Sequence, residues 1–121
     1  MPKIRNVAFD CADPYALAVF WSKVMLQPMD EDCAPGDAES AVYGHDGPNL
    51  YFQRVPEPKV VKNRLHICLE PETRRDEEVA RILQLGATMV ADHRRPDGSG
   101  WVVLADPEGN EFCVVRSAAE R

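Results

Sequence analysis

The sequence predicts a single α+β domain made of two βαβββ units, and three observations carry that expectation. Short apolar runs alternating with period two are interrupted twice by an apolar stripe at helical spacing. The resulting order, one strand, one helix, three strands, occurs twice within 121 residues. The two copies also align at a fixed offset: Asn6-Val-Ala-Phe-Asp10 falls on His66-Ile-Cys-Leu-Glu70, and 66 minus 6 is 60. Met25-Leu26 falls on Leu85-Gly86 and Phe52-Gln53 on Phe112-Cys113 at the same offset. The domain covers residues 1–121, with units at about 1–57 and 62–117 and the stretch from Pro56 to Lys62 as linker.

The elements follow in order. Asn6 to Asp10 reads as a strand, with Val7 and Phe9 on one face and Asn6, Ala8 and Asp10 on the other. Asp13-Pro14 opens a helix, with aspartate as N-cap and proline at the first helical position. Leu17, Phe20, Trp21 and Val24 form its apolar stripe, and Gln27-Pro28 ends it. An acidic stretch from Asp30 to Glu39 reads as a solvated loop or edge hairpin, followed by strands at Ser40 to Tyr43 and Asn49 to Val55.

In the second half, Leu65 to Leu69 is a strand, and Thr73-Arg-Arg-Asp76 is a variant capping box opening a helix. Val79, Ile82 and Leu83 are its stripe, Gly86 closes it, and Glu77 and Arg81 stand at i,i+4 on its solvated face. Strands follow at Thr88 to Ala91, Trp101 to Ala105 and Glu111 to Arg116. The last two flank Asp106-Pro107-Glu108-Gly109, whose proline presets φ and whose glycine permits φ > 0, the signature of a hairpin turn.

Composition narrows the function classes. A net charge of -6 without a basic stripe argues against nucleic acid. No run approaches membrane-spanning length and no apolar signal segment opens the chain, so the expected compartment is the cytoplasm. Cys11, Cys33, Cys68 and Cys113 show no CxxC spacing, and two sit inside expected strands, so reduced thiols are expected.

Three segments resemble the glyoxalase-like domain of the vicinal oxygen chelate superfamily, which includes glyoxalase I, extradiol dioxygenases and the bleomycin-resistance proteins. They are Asp10-Cys-Ala-Asp-Pro14 with Phe20-Trp21, then Lys62-Asn-Arg-Leu-His-Ile67, then Leu104-Ala-Asp-Pro-Glu-Gly-Asn-Glu-Phe-Cys113. The resemblance implies two βαβββ units forming a curled mixed sheet around a cleft, with helices on the outer face. It also implies a homodimer, and metal ligands on the first and last strands of each unit. Those positions here are Asn6, Gln53, His66 and Cys113. They are expected to meet in the cleft.

Where metal-binding relatives place carboxylates, this chain has an amide and a thiol. A hard divalent ion wants carboxylates to neutralise it, so no metal is expected at Asn6, Gln53, His66 and Cys113, although a divalent metal stays open. Zinc or copper accepts imidazole and thiolate, and Cys68 shares a strand face with His66, so a His/Cys/Cys set is also open. Against both stand plainer readings: His66 as a pocket histidine, Cys68 and Cys113 as small buried hydrophobes. His66 as acid or base, alone or with Cys113 as nucleophile, is the catalytic reading.

Tyr51 shares the face of Gln53 and Trp101 that of Val103, so both are expected to line the ligand site with Asn6, Gln53, His66 and Cys113. Phe9, Phe20, Trp21 and Phe112 are expected in the core. The function expected is binding of a small organic ligand without the usual metal site. The alternative is a metal-dependent lyase, isomerase or dioxygenase of the same superfamily. The loops Ala34 to Gly47 and His93 to Gly100 would set the ligand's identity.

Overall fold

In the computed structural model, which describes residues 1–121, the chain divides into two compact units, 1–59 and 60–121. The boundary falls within the stretch read as a linker.

The first unit holds β1 (Asn6–Cys11), α1 (Pro14–Met25), β2 (Glu39–Val42) and β3 (Asn49–Arg54). Its sheet has the order β1-β3-β2, with β1 parallel and β2 antiparallel to β3. Helix α1 starts as the sequence dictates: Pro14 occupies the first turn and the Asp13 side chain accepts a hydrogen bond from the Ala16 N–H at 3.2 Å. It stops at Leu26, which is left-handed at φ 54, and the Ser22 hydroxyl donates to the Gln27 carbonyl at 2.5 Å. Leu17, Phe20, Trp21 and Val24 are buried against the sheet, where Phe9 lies between Trp21 (5.5 Å) and Phe52 (4.9 Å).

The second unit holds β4 (Ile67–Leu69), α2 (Arg75–Gln84), β5 (Thr88–Asp92), β6 (Trp101–Ala105), β7 (Glu111–Val115) and a short 3-10 turn at Ala118–Glu120. Its sheet has the order β4-β7-β6-β5, with β4 parallel to β7 and the other pairs antiparallel. Val102, Leu104, Phe112 and Val114 form its buried face with Val79 and Ile82 of α2. The hairpin turn between β6 and β7 is the one expected, with Gly109 at φ 89 and its N–H donating to the Asp106 carbonyl at 2.9 Å. The buried Asp106 carboxylate accepts from the Glu108 N–H at 2.9 Å and the Asn110 N–H at 3.0 Å.

Four expectations need correction. The fourth strand of the first unit is absent as a strand: the acidic, proline-containing stretch forms none, and Met29, just ahead of it, makes a single bridge to Val42. β4 is three residues long, beginning at Ile67 rather than Leu65. Helix α2 has no capping box at Thr73; its N-cap is Arg74, without a side-chain cap, and the Arg75 N–H donates instead to the Glu120 carboxylate at 2.8 Å. Arg81 pairs with Glu78 at i,i+3, at 2.6 Å, rather than with Glu77.

The repeat itself is real but not uniform. Val7 pairs with Leu50 and Ile67 with Phe112, so 7 maps to 67 at an offset of 60 while 50 maps to 112 at 62. The β2–β3 and β6–β7 pairings agree: Val42 opposite Leu50 corresponds to Leu104 opposite Phe112, both 62 apart. The second unit therefore carries two more residues than the first between its helix and its central hairpin. Because strand side chains alternate with period two, an even shift leaves every residue on its original face.

Candidate functional site

In each unit one sheet face packs on a helix and the other does not. Pleat alternation sends Val7, Phe9, Leu50 and Phe52 toward α1, leaving Asn6, Ala8, Asp10, Tyr51 and Gln53 on the helix-free face. In the second unit, Phe112 and Val114 face α2, while His66, Cys68, Cys113 and Trp101 occupy the opposite face. All six residues singled out for ligand contact, Asn6, Tyr51, Gln53, His66, Trp101 and Cys113, thus stand on helix-free faces.

Within the first unit, Asn6 and Gln53 are not neighbours. Asn6 opposes Asn49, whereas Gln53 opposes Asp10, four positions further along, about 13 Å at strand rise. The Gln53 amide donates to the Asp10 carboxylate at 2.8 Å. Tyr51 lies between these ends, opposite Ala8 and Ala41, and a hydrogen bond to Glu39 holds its phenol above the usual range.

Within the second unit the side chains converge. Cys68 and Cys113 are register partners on parallel strands, and His66 precedes Cys68 by two residues, so alternation puts it on the same face. The ligating atoms of His66, Cys68 and Cys113 lie within 4.8 Å of one another. His66 and Cys68 are exposed, while Cys113 is 2% exposed. Burial, and then the neighbouring Cys68 thiol, push the Cys113 thiol up to about 12, so without a metal it stays protonated at neutral pH. That rules against Cys113 as the activated nucleophile of a Cys/His pair, which needs a lowered thiol. All four cysteines are free.

Trp101, at the edge of this face, is 37% exposed. The Arg95 guanidinium sits 5.8 Å from the centre of its ring and the His93 ring at 5.1 Å.

A concavity of about 320 Å³ opens elsewhere in this unit, at the start of α2, lined by Arg74, Arg75, Arg94, Arg95 and Arg116 with Glu120. Sequence reasoning did not find it, because its arginines come from three separate segments. Two of its five arginines are tied to partners in the same unit. Buried Arg75 donates to the Gly98 carbonyl at 2.8 Å and the Gly100 carbonyl at 3.0 Å, and Arg94 pairs with Asp92 at 2.6 Å and with Asp76.

A divalent oxygen-ligated metal, as the family resemblance implies, does not fit the donors at Asn6, Gln53, His66 and Cys113, and the strand pairing makes Tyr51, not Gln53, the first-unit counterpart of Cys113. Two neutral amides, an imidazole and a thiol held protonated by burial provide no charge to offset a hard cation.

Comparison with known proteins agrees with this architecture. The chain resembles a glyoxalase/bleomycin resistance protein/dioxygenase family enzyme from Burkholderia phytofirmans PsJN, at TM-score 0.72 and 18% identity, covering 94% of this chain and 98% of that one. A protein of Agrobacterium tumefaciens, whose structure was determined in solution, matches at TM-score 0.74 and 18% identity, over 98% of this chain and 99% of that one. A lactoylglutathione lyase from the same organism matches at TM-score 0.66 and 20% identity, over 95% and 93%. At these identities the likeness shows the fold. No functionally curated protein matches the sequence. The model of the glyoxalase-like domain family matches residues 6–115, and the chain belongs to that family.

Proposed function

We propose that this protein binds a small organic ligand on the helix-free faces of its sheets and does not assemble the oxygen-ligated metal centre of glyoxalase I. The observation that carries this reading is the donor set. The thiol of Cys113 stands where metal-binding relatives keep a carboxylate, its counterpart in the first unit is the phenol of Tyr51 rather than a carboxylate, and the Gln53 amide is already committed to Asp10. The remaining groups on these faces, Tyr51, Trp101 and a few hydrogen-bonding side chains, suit an organic molecule with an aromatic or apolar body.

No helix is long and apolar enough to cross a membrane. A cytoplasmic homodimer is part of the proposal. Light scattering is expected to give twice 13.6 kDa, and a monomer at all concentrations removes the dimer.

The ligand reading is tested by a thermal-shift screen of aromatic metabolites and antibiotics on chelator-treated protein. At least one compound is expected to stabilise the parent and to lose its effect in Trp101→Ala or in Tyr51→Ala. Stabilisation that requires added magnesium, manganese or nickel overturns the reading and favours the metal-dependent lyase, isomerase or dioxygenase.

A further inference from the structure

We infer that His66, Cys68 and Cys113 form a binding site for a thiophilic metal ion, Zn2+ or Cu+, distinct in ligand chemistry from an oxygen-rich centre. The inference goes beyond the organic-ligand reading and is independent of it. Three features of the second unit carry it.

The first is geometry. Parallel pairing of β4 with β7 sets Cys68 beside Cys113, and the two-residue step from Cys68 returns His66 to the same face. Around a tetrahedral zinc, sulfur at about 2.3 Å and nitrogen at about 2.0–2.1 Å leave ligand atoms about 3.5–3.8 Å apart. The three atoms here already lie within 4.8 Å, so side-chain rotation that shortens their separations by at most about 1.0–1.3 Å closes them on one ion.

The second is donor type. Two thiols and an imidazole are soft and borderline ligands that select zinc or cuprous copper over magnesium, calcium or manganese. Binding Zn2+ forms two zinc–sulfur bonds and one zinc–nitrogen bond, and releases two protons from the two thiols, with no change of oxidation state.

The third is access. Cys113 anchors the site from the interior, while His66 and Cys68 are exposed and give an ion a route in. Three protein ligands on an open sheet face leave one position for water or an exogenous group, the arrangement of reactive rather than closed structural zinc sites.

The register that brings Cys113 beside Cys68 recurs in the first unit as Tyr51 beside Ala8, with Asn6 in place of His66. The duplicated position in the first unit therefore offers no second thiol, and the site belongs to one unit alone.

The test uses the full chain, reduced and freed of metal, titrated with Co2+ and then Zn2+. One equivalent of Co2+ is expected to give a thiolate-to-cobalt charge-transfer band that one equivalent of Zn2+ abolishes. Zn2+ is also expected to protect the exposed Cys68 thiol from alkylation, and tenfold excess Mg2+ or Mn2+ to do neither. Cys68→Ser and His66→Asn, both at exposed positions, are expected to weaken Zn2+ binding at least tenfold without loss of the folded circular-dichroism spectrum. If Cys113→Ser unfolds the chain, proton release by the parent decides for that residue: two protons per Zn2+ bound are expected, and one removes Cys113 from the site. Zinc affinity unchanged in Cys68→Ser, a cobalt spectrum without sulfur ligation, or equal binding of Mg2+ overturns the inference.

Discussion

Replacing Arg75 with alanine removes a buried fork that ties the start of α2 to the 93–100 loop. The guanidinium is 4% exposed and reaches two carbonyls, those of Gly98 and Gly100. Hydrogen bonds from a charged donor contribute about 1.5–3 kcal/mol each, which sets a ceiling of about 3–6 kcal/mol for the pair. Both glycines are only half-buried, so water recovers part of what their carbonyls lose. The expected destabilisation is about 2–4 kcal/mol, or a fall in Tm of about 8–15 °C for a chain of this length. Arg75→Lys separates geometry from charge, because one ammonium on a single stem serves one carbonyl well and two poorly. It is expected to lose about half as much. Urea unfolding followed by far-ultraviolet circular dichroism measures both. An alanine variant within about 0.5 kcal/mol of the parent, or a lysine variant no better than alanine, refutes the fork as the source of the stability.

Gly100 sits at φ 95 with the His93 carbonyl where a Cβ would go, so Gly100→Ala is expected to cost about 2–4 kcal/mol by thermal unfolding. Hydrogen bonds from the Ser117 and Arg75 N–H groups hold the Glu120 carboxyl down to about 2 from an ordinary 4.5. Its folded-state value is depressed, so its contribution is full above 4.5 and is lost as pH falls toward 2; Glu120→Gln is expected to flatten the stability profile of the parent across that window. Asp106→Ala leaves the Glu108 and Asn110 N–H groups without their acceptor and is expected to cost about 2–4 kcal/mol, against about 1 for Asp106→Asn, both read from denaturant midpoints. His66→Ala, at an exposed position, is expected to shift the unfolding midpoint by less than about 0.5 kcal/mol, as measured in the same experiment.

Local chemistry was the legible part of this chain. Asp13-Pro14 opens a helix and Asp106 to Gly109 turns a hairpin because the information lies within four residues. The face assignments also stand, since alternation reports parity even when strand ends are misjudged. What escaped is non-local. The cap of α2 comes from Glu120, 45 residues away, and nothing near Thr73 announces it. The shift from 60 to 62 escaped for a different reason. Strands of alternating apolar residues look alike after a slide of two, so Phe52-Gln53 matched Phe112-Cys113 although the pairing sets Phe52 against Val114. For the same reason Cys68 entered the sequence reading only as a same-face neighbour of His66. Its closeness to Cys113 depends on a parallel register that no local pattern encodes.

The strand order β4-β7-β6-β5 also orders events in time. As the chain is synthesised, β5 and β6 can pair as soon as both emerge, but β4 has no neighbour until β7 arrives. Closing that pairing joins Cys68 to Cys113, 45 positions apart, and a loop of that length makes it the entropically slow step. His66 and Cys68 are thus made early and wait, and their third partner is delivered by the strand that completes the sheet. An ion held by all three would report that the second unit has finished folding, and would bind tightly only to chains in which it has.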